Sequence, residues 1–379
     1  MSKPELIAEI QDEIKQSGPI PFLRFMELAL YHPKYGYYTT PGEKIGWRGD
    51  FYTSSTVHPI FGELLAKQFV QMGAFLENEP FTIVEVGAGK GTLCSDILQT
   101  LRENHPAFFE SCRYVIVETS AFLKEKQRER LSPLFPKHIV WEAAIPEGLC
   151  GVIFSNELLD ALPMHRLRVE KEHIQEIFVG WKENTFVEVL GPPSSPALSD
   201  YLERLNISFD KPVELEINLR ALDWIASAGQ ALSKGFILTI DYGYAAADLY
   251  TPRRPKGTFL CYHKHKTNEN PYVHVGEQDM TAHVNFTSVA RRGENAGLQT
   301  LGFTDQMHFL MGLGIAQKME APAQKMHESE SAKKEFLAMK QLMNPAGMGH
   351  TFKVLVQVKN ISGVVQLDGL QYNRLSALD

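Results

Sequence analysis

The chain has 379 residues, of which 44% are hydrophobic and 22% charged, a balance typical of a globular protein with a large core. Lys and Arg total 38 against 45 acidic residues, so the formal net charge is -7. A chain with this negative charge is not expected to bind nucleic acid. The 4 cysteines form no C-x-x-C pair and the 13 histidines are scattered, so we expect neither a disulfide framework nor a metal site.

Residues 1–78 are predicted to form an N-terminal helical and loop segment that covers a functional site. Two short helices are expected over 4–31, because apolar side chains recur there at helical spacing on either side of a Ser-Gly-Pro break. A loop rich in glycine and aromatic residues follows over 32–55, and another helix is expected over 59–75.

A core domain is predicted over 79–245. Short apolar, mostly β-branched runs at 82–86, 114–118, 139–141 and 151–155 alternate with predicted helices at 92–103 and 121–131. This alternation is typical of βαβ units, so the fold class is α/β with a Rossmann-like parallel sheet covered on both faces. An antiparallel appendage is expected at 164–190, a helix at 215–232 and another buried strand at 235–241.

The last third of the chain is predicted to be an insertion followed by the end of the core. Residues 246–345 form the insertion or cap region, with helices over 308–343. The polar, His- and Pro-rich stretch at 243–280 is interpreted as a long loop, either a lid or a partner surface. Residues 346–379 contain a closing strand of the core at 351–358 and a C-terminal tail.

The first predicted core strand runs into a glycine-rich loop, Glu85-Val86-Gly87-Ala88-Gly89-Lys90-Gly91, and then a helix. Glycines allow sharp turns and let a ligand approach the backbone closely. A dinucleotide fingerprint needs a third glycine at position 92, where this chain has Thr92. The G-x-G-x-G spacing instead favours S-adenosylmethionine, bound by Gly87, Ala88, Gly89 and Gly91, with Glu85 near its ammonium group. The alternative is a tight turn beside a solvated glutamate.

A second acidic residue, Glu118, comes directly after the next predicted strand and is followed by Thr119. A carboxylate at the carboxyl end of this strand can accept hydrogen bonds from both ribose hydroxyls of a nucleoside. We therefore assign Glu118 and Thr119 to the cofactor site as well. The alternative is that Glu118 only caps the following helix.

The residues after the fourth predicted strand, Ser155-Asn156-Glu157-Leu158-Leu159-Asp160, offer an amide and two carboxylates on the acceptor side. Carboxylates can hold a guanidinium or an amine and take its proton during methyl transfer. We therefore predict Asn156, Glu157 and Asp160 as catalytic residues, with Asn156 also contacting the cofactor. Helix capping is the alternative for Asn156 and Asp160. Asp241, after a later strand, is interpreted as either a substrate contact or a turn former.

Further blocks extend over nearly the whole chain: 31–38 (Y-H-P-K-Y-G-Y-Y), 49–54 (G-D-F-Y-T-S), 156–163 (N-E-L-L-D-A-L-P), 241–243 (D-Y-G) and 279–284 (D-M-T-A-H-V). Together with the glycine loop, they resemble the MidA family of S-adenosylmethionine-dependent methyltransferases. Its mitochondrial members include the arginine methyltransferase that assists assembly of respiratory complex I. The resemblance implies a class I methyltransferase core with a mostly parallel seven-stranded sheet. It also implies that the substrate is a protein arginine, which is expected in a subunit of a respiratory complex.

Two departures from the family pattern remove acidic residues. The family's P-E-I-S is Ser55-Thr56-Val57-His58 here, and its H-V-D-F is His283-Val284-Asn285-Phe286. The missing acids at Thr56 and Asn285 weaken the expectation of a guanidinium substrate. A small-molecule methyltransferase and a cofactor-binding assembly factor without turnover therefore remain alternatives, and a dinucleotide oxidoreductase is disfavoured by Thr92. His283 is interpreted as a structural histidine.

The compartment is inferred from what the sequence lacks. No stretch approaches the roughly 20 apolar residues of a membrane span. The N-terminal residues show neither the apolar region of a signal peptide nor the Arg-rich composition of a mitochondrial presequence. We therefore expect no membrane span and a cytoplasmic protein, while its oligomeric state stays open.

Overall fold

The computed structural model describes residues 2–41, 57–76, 79–171, 173–207 and 209–378. The strands in these residues are β1 (Ile20–Pro21), β2 (Thr82–Val86), β3 (Arg113–Val117), β4 (Ile139–Glu142), β5 (Leu149–Asn156), β6 (His165–Glu170), β7 (His173–Lys182), β8 (Thr185–Gly191), β9 (Val213–Ile217), β10 (Leu232–Tyr244), β11 (Leu260–His263), β12 (Lys266–Asn268), β13 (Asp279–Thr281), β14 (Val284–Asn285), β15 (Gln299–Asp305) and β16 (Phe352–Lys359).

The α-helices in the same residues are α1 (Pro4–Ser17), α2 (Phe22–Tyr31), α3 (Ile60–Gly73), α4 (Thr92–Asn104), α5 (Pro106–Ser111), α6 (Ala121–Leu131), α7 (Pro196–Leu205), α8 (Leu219–Ala231), α9 (Ala246–Leu249), α10 (Phe286–Asn295), α11 (Gln306–Leu313), α12 (Ile315–Lys325), α13 (Glu330–Leu342) and α14 (Met348–Thr351). Each of them is too short or too polar to traverse a bilayer.

The central sheet has the strand order β15-β16-β10-β5-β2-β3-β4, and β14 also pairs with the end of β10. Strands β10, β5, β2, β3 and β4 are parallel to one another, whereas β16 is antiparallel to both of its neighbours. This mostly parallel arrangement confirms the predicted Rossmann-like methyltransferase core. The order reverses between β5 and β2, and open α/β sheets bind ligands at such a crossover, beyond the carboxyl ends of the strands.

The two faces of the central sheet are buried in separate hydrophobic clusters. Alternate residues of each strand enter opposite layers, as Ile83 and Val84 do in β2. One layer packs against α3, α4 and α11, and the other packs against α8 and α10. Coverage on both faces explains why these strands contain near-continuous apolar runs.

A second, antiparallel sheet has the order β1-β7-β6-β9, with β8 paired to β7. Strands β11, β12 and β13 form a small third sheet. Helices α1 and α2 pack against both sheets in one hydrophobic cluster, which includes Phe25, Val179, Phe186 and Met280. The N-terminal segment and the third sheet are therefore held together beside the core.

The structure differs from the predicted elements in several places. Residues 213–217 form a strand rather than the start of a helix, because V-E-L-E-I alternates with the period of two that suits a strand. The predicted loop at 243–280 contains α9 and strands of the third sheet, and β15 lies in a stretch where the sequence predicts no strand. The domain bounds at 78, 245 and 345 stay a prediction.

Candidate active site

A cavity of about 1180 Å³ opens at the carboxyl ends of β2, β3, β5 and β10. Three loops of the core line it: 85–90, 117–123 and 156–162. The N-terminal segment contributes Tyr31 and Tyr38, and the 243–280 stretch contributes Tyr262 and Asp279. That stretch therefore forms part of the wall of the cavity, and the volume is ample for a nucleoside cofactor together with an acceptor group.

Glu85 lies at the end of β2 and is only 3% exposed. It shares a face of the strand with Ile83, so it points into an apolar layer, where the Tyr114 hydroxyl donates a 2.7 Å hydrogen bond to its carboxylate. Burial raises the pKa of Glu85 to about 7, opposed by the Tyr114 hydrogen bond and reinforced by the nearby Glu118. Such a carboxyl lies close to half-ionised at neutral pH, so a cationic ligand would shift it to the charged form.

The glycine loop has the backbone conformation that its residues require. Gly87, Gly89 and Gly91 have φ values of +76°, +53° and +74°, which L-residues rarely adopt. Gly87, Ala88 and Gly89 line the cavity, as the cofactor assignment expects. Gly91 does not line it: Gly91 precedes α4, and a Cβ there would lie 2.9 Å from Leu131. Backbone geometry and helix packing both favour a glycine at this position, and its assignment as a cofactor contact stays a prediction.

Glu118 is fixed by two hydrogen bonds and lines the cavity together with Thr119. The backbone N–H of Ser120 donates to one oxygen at 2.8 Å, and Gln127 Nε2 donates to the other at 3.1 Å. Burial raises the pKa of Glu118 and these hydrogen bonds oppose the rise. The fully buried Gln127 also donates to the Gly89 carbonyl at 2.9 Å, so it joins both cofactor loops.

Asn156, Glu157 and Asp160 all line the cavity beside the glycine loop. Asn156 Nδ2 donates to Glu157 at 3.0 Å, and Glu157 has a left-handed backbone with φ +55°. The Tyr242 hydroxyl donates to Asp160, whose pKa is raised well above its ordinary value by burial and by the neighbouring Asp241. Asn156 Oδ1 and Asp160 Oδ1 are buried with no hydrogen-bond partner among the described residues.

Asp241 holds the acceptor loop rather than lining the cavity. Its Oδ2 accepts hydrogen bonds from the backbone N–H groups of Leu158, Leu159 and Asp160 at 3.1, 2.8 and 3.4 Å. Burial raises the pKa of Asp241 to about 7, and hydrogen bonds from backbone N–H groups, that of Leu159 foremost, oppose the rise. Of the two roles that the sequence left open for Asp241, the geometry supports the positioning of this loop.

Tyr38 and Asp279 also line the cavity, and sequence reasoning assigned neither of them a chemical role. The Tyr38 hydroxyl donates a 2.7 Å hydrogen bond to Asp279, although 241 positions separate them. Only the family-specific blocks at 31–38 and 279–284 marked them, since neither lies at the end of a core strand. His283 also lines the cavity, and its pKa is lowered to about 4, chiefly by burial.

Asn285, one of the two missing acids, lies away from the cavity. Its Oδ1 accepts from the Ser288 backbone at 3.2 Å and caps α10, while its Nδ2 donates to the Tyr201 hydroxyl at 2.8 Å. An aspartate here would cap the same helix, so its absence removes no carboxylate from the cavity wall. The other missing acid, at Thr56, and the 49–54 block lie outside the described residues.

Asp305, His308 and His350 form a cluster that could hold a metal ion. The Nδ1 atoms of His308 and His350 lie 2.7 and 2.8 Å from the two carboxylate oxygens of Asp305, and Arg374 lies 3.7 Å away. These are hydrogen-bond and ion-pair distances, shorter than the usual separation of two ligands around zinc. We therefore interpret the cluster as a hydrogen-bonded carboxylate.

A family model described as "Putative S-adenosyl-L-methionine-dependent methyltransferase" matches residues 64–304, more than half of the chain. The chain belongs to this methyltransferase family. A Burkholderia thailandensis protein whose crystal structure contains S-adenosyl-homocysteine is 30% identical, with a TM-score of 0.87 and 98% of each chain covered. The protein is thus a methyltransferase with S-adenosylmethionine as its methyl donor, as the glycine-loop spacing predicted.

Curated relatives are similar over most of their length. The Drosophila melanogaster protein named "Protein arginine methyltransferase NDUFAF7 homolog, mitochondrial" is 28% identical over 94% of this chain and 85% of its own. The Homo sapiens relative of similar name is 26% identical over 97% and 86%. Because these relatives are mitochondrial, the expectation of a cytoplasmic protein was wrong. The expectation rested on the composition of the N-terminal residues, which does not by itself decide the compartment.

Proposed function

We propose that this methyltransferase transfers the methyl group to a guanidinium nitrogen of an arginine in a protein substrate. The observation that carries this proposal is the charge of the cavity wall. Its described residues include five carboxylates and one lysine, Lys90. Glu85 and Glu118 are assigned to the cofactor, which leaves Glu157, Asp160 and Asp279 on the acceptor side. Such a wall favours a cationic acceptor. The curated relatives named protein arginine methyltransferases give independent support.

The described residues fit the cofactor at one end of this cavity. The loop at 87–89 provides a turn without bulky side chains, Glu118 offers fixed acceptors for ribose hydroxyls, and Glu85 provides a carboxyl for an ammonium group. The buried Asn156 Oδ1 lacks a partner among the described residues and would accept a hydrogen bond from the ligand. When bound, S-adenosylmethionine supplies an electrophilic methyl group.

The acceptor end of the cavity would orient the nucleophilic nitrogen and accept the proton that this nitrogen loses. Asp160 and Glu157 would accept hydrogen bonds from the guanidinium and align one nitrogen for attack. Methylation leaves a surplus proton on that nitrogen, and a neighbouring carboxylate can take it. Asp241 keeps the acceptor loop in place through three backbone hydrogen bonds. By resemblance, the narrower hypothesis for the partner is a subunit of a respiratory complex.

Incubation with methyl-labelled S-adenosylmethionine and a cell lysate tests the proposal. We expect label on protein arginine, identified by mass spectrometry of the labelled peptides. Label only on small molecules would favour a small-molecule methyltransferase. Cofactor binding with no transfer to any acceptor would favour an assembly factor without turnover.

A further inference from the structure

Two buried carboxylates face the acceptor end of the cavity, and each accepts a hydrogen bond from a tyrosine. Asp160, on the loop after β5, accepts from Tyr242 of β10. Asp279, at the start of β13, accepts from Tyr38 of the N-terminal segment at 2.7 Å and from the Met280 backbone at 2.9 Å. Asp160 is 4% exposed and Asp279 is 2% exposed. The two carboxylates therefore come from different parts of the fold: Asp160 from a loop of the core, and Asp279 from the third sheet, where the N-terminal segment contacts it.

The backbone ties these two carboxylates to one small region. The N–H of Ala282, three residues after Asp279, donates to the Asp160 carbonyl at 3.2 Å. The Tyr31 hydroxyl donates to the carbonyl of the next residue, Ala161, at 3.0 Å, and the Tyr31 and Tyr38 rings lie 5.4 Å apart. Both carboxylates help to raise the pKa values of Tyr31, Tyr38 and Tyr262. The two carboxylates therefore lie near the same group of tyrosine side chains.

Two buried carboxylates on neighbouring segments suit a ligand that can hydrogen-bond to both of them. A guanidinium fits this arrangement better than an ammonium, because its planar fork of five donors can reach two carboxylates at once. Its faces also interact favourably with tyrosine rings. Ser120 Oγ donates to the Tyr38 carbonyl at 3.1 Å, which connects the same segment to the loop of Glu118. The cation would thus lie next to the cofactor site.

We propose that Asp279, held by Tyr38, is the second substrate-binding carboxylate and that it holds the acceptor guanidinium together with Asp160. This inference rests on the proposed arginine specificity. It assigns substrate selection to the N-terminal segment and the third sheet, and cofactor binding to the core loops. Asp279 acts by direct contact with the acceptor, whereas Tyr38 is a positioning residue that acts through Asp279.

Calorimetry in the presence of S-adenosylhomocysteine tests this assignment without requiring turnover. The probes are N-acetylarginine methylamide and its neutral isostere N-acetylcitrulline methylamide, each at millimolar concentration. The proteins are the wild type, Asp279→Asn and, as a matched control, Asp200→Asn, which removes an exposed acid on α7. The affinity of each protein for S-adenosylhomocysteine is measured separately and reports whether the core site is intact.

We expect the wild type and Asp200→Asn to bind the arginine probe about 10- to 100-fold more tightly than the citrulline probe, the range for one charge-assisted hydrogen-bonded pair. Asp279→Asn should lose most of this preference and keep its affinity for S-adenosylhomocysteine. A retained preference in Asp279→Asn, or none in the wild type, would overturn the inference. If Asp279→Asn loses S-adenosylhomocysteine binding, Tyr38→Phe decides: a reduced preference supports the inference and an unchanged one overturns it.

This experiment can fail independently of the proposed function. Arginine labelling from the lysate with an unchanged preference in Asp279→Asn would leave the function standing and remove Asp279 from the acceptor site. Label on another nucleophile would overturn the arginine proposal. The two probes would still show whether Asp279 selects a guanidinium.

Discussion

Gln127 offers the sharpest test of how the cofactor site is held, because one buried side chain joins three groups. It donates to the Gly89 carbonyl and to Glu118, and its Oε1 accepts a 3.1 Å hydrogen bond from the Trp141 indole. The change Gln127→Met keeps the length of the side chain and removes all three hydrogen bonds. The glycine loop and Glu118 would then lose their shared support.

The size of the effect follows from the number of hydrogen bonds and their burial. Three hydrogen bonds at about 0.5–1.5 kcal/mol each predict a loss of about 2–4 kcal/mol in the free energy of unfolding. The bond to the Glu118 carboxylate involves a charged group, so its loss should weaken S-adenosylmethionine binding by about 1.5 kcal/mol, or about tenfold in Kd. Gln371→Met, at an exposed position, should change neither quantity.

Urea unfolding and calorimetric titration with S-adenosylmethionine measure the two effects separately. A lower free energy of unfolding with an unchanged Kd would show that Gln127 is only structural. An unchanged free energy of unfolding would refute the account of this network altogether.

Three further predictions concern the assigned site residues. Burial raises the pKa of Glu85 to about 7 and also raises that of Glu118, so both carboxyls gain negative charge as the pH rises. The affinity for S-adenosylmethionine, measured by calorimetry, should therefore increase as the pH is raised through about 7. Glu85→Gln should flatten this increase. Gly89→Val should abolish cofactor binding, since φ is +53° and the ligand needs the space; retained affinity would mean that the loop is misassigned. Glu157→Gln should spare the Kd for S-adenosylmethionine and lower the rate of methyl transfer about 10-fold or more; an unchanged rate would make Glu157 structural.

The core could be predicted from sequence because its signals are local. The strand at 82–86, the glycine loop and the helices after them each depend on neighbouring residues, so the spacing of the loop could favour the correct methyl donor. Glu118 and the 156–160 loop followed, because the carboxyl ends of parallel strands meet at one edge of a sheet. The strand at 213–217 was missed because the Leu- and Ala-rich helix directly after it dominated the pattern.

The acceptor side depends on contacts between distant parts of the chain. The Tyr38–Asp279 hydrogen bond joins residues 241 positions apart, and no local sequence pattern predicts that two such residues are in contact. The role of Asp241 was left open for the same reason, since three backbone N–H groups decide it and side-chain type does not. Asn285 misled the prediction because a helix cap and a cavity carboxylate look alike in sequence.

Calorimetric titration of the wild-type protein with S-adenosylmethionine, with NAD as the comparison ligand, tests the central claim most directly. The account predicts saturable binding of S-adenosylmethionine with one site per chain and no binding of NAD, because Thr92 stands where the dinucleotide fingerprint has its third glycine. Binding of NAD without binding of S-adenosylmethionine would contradict it.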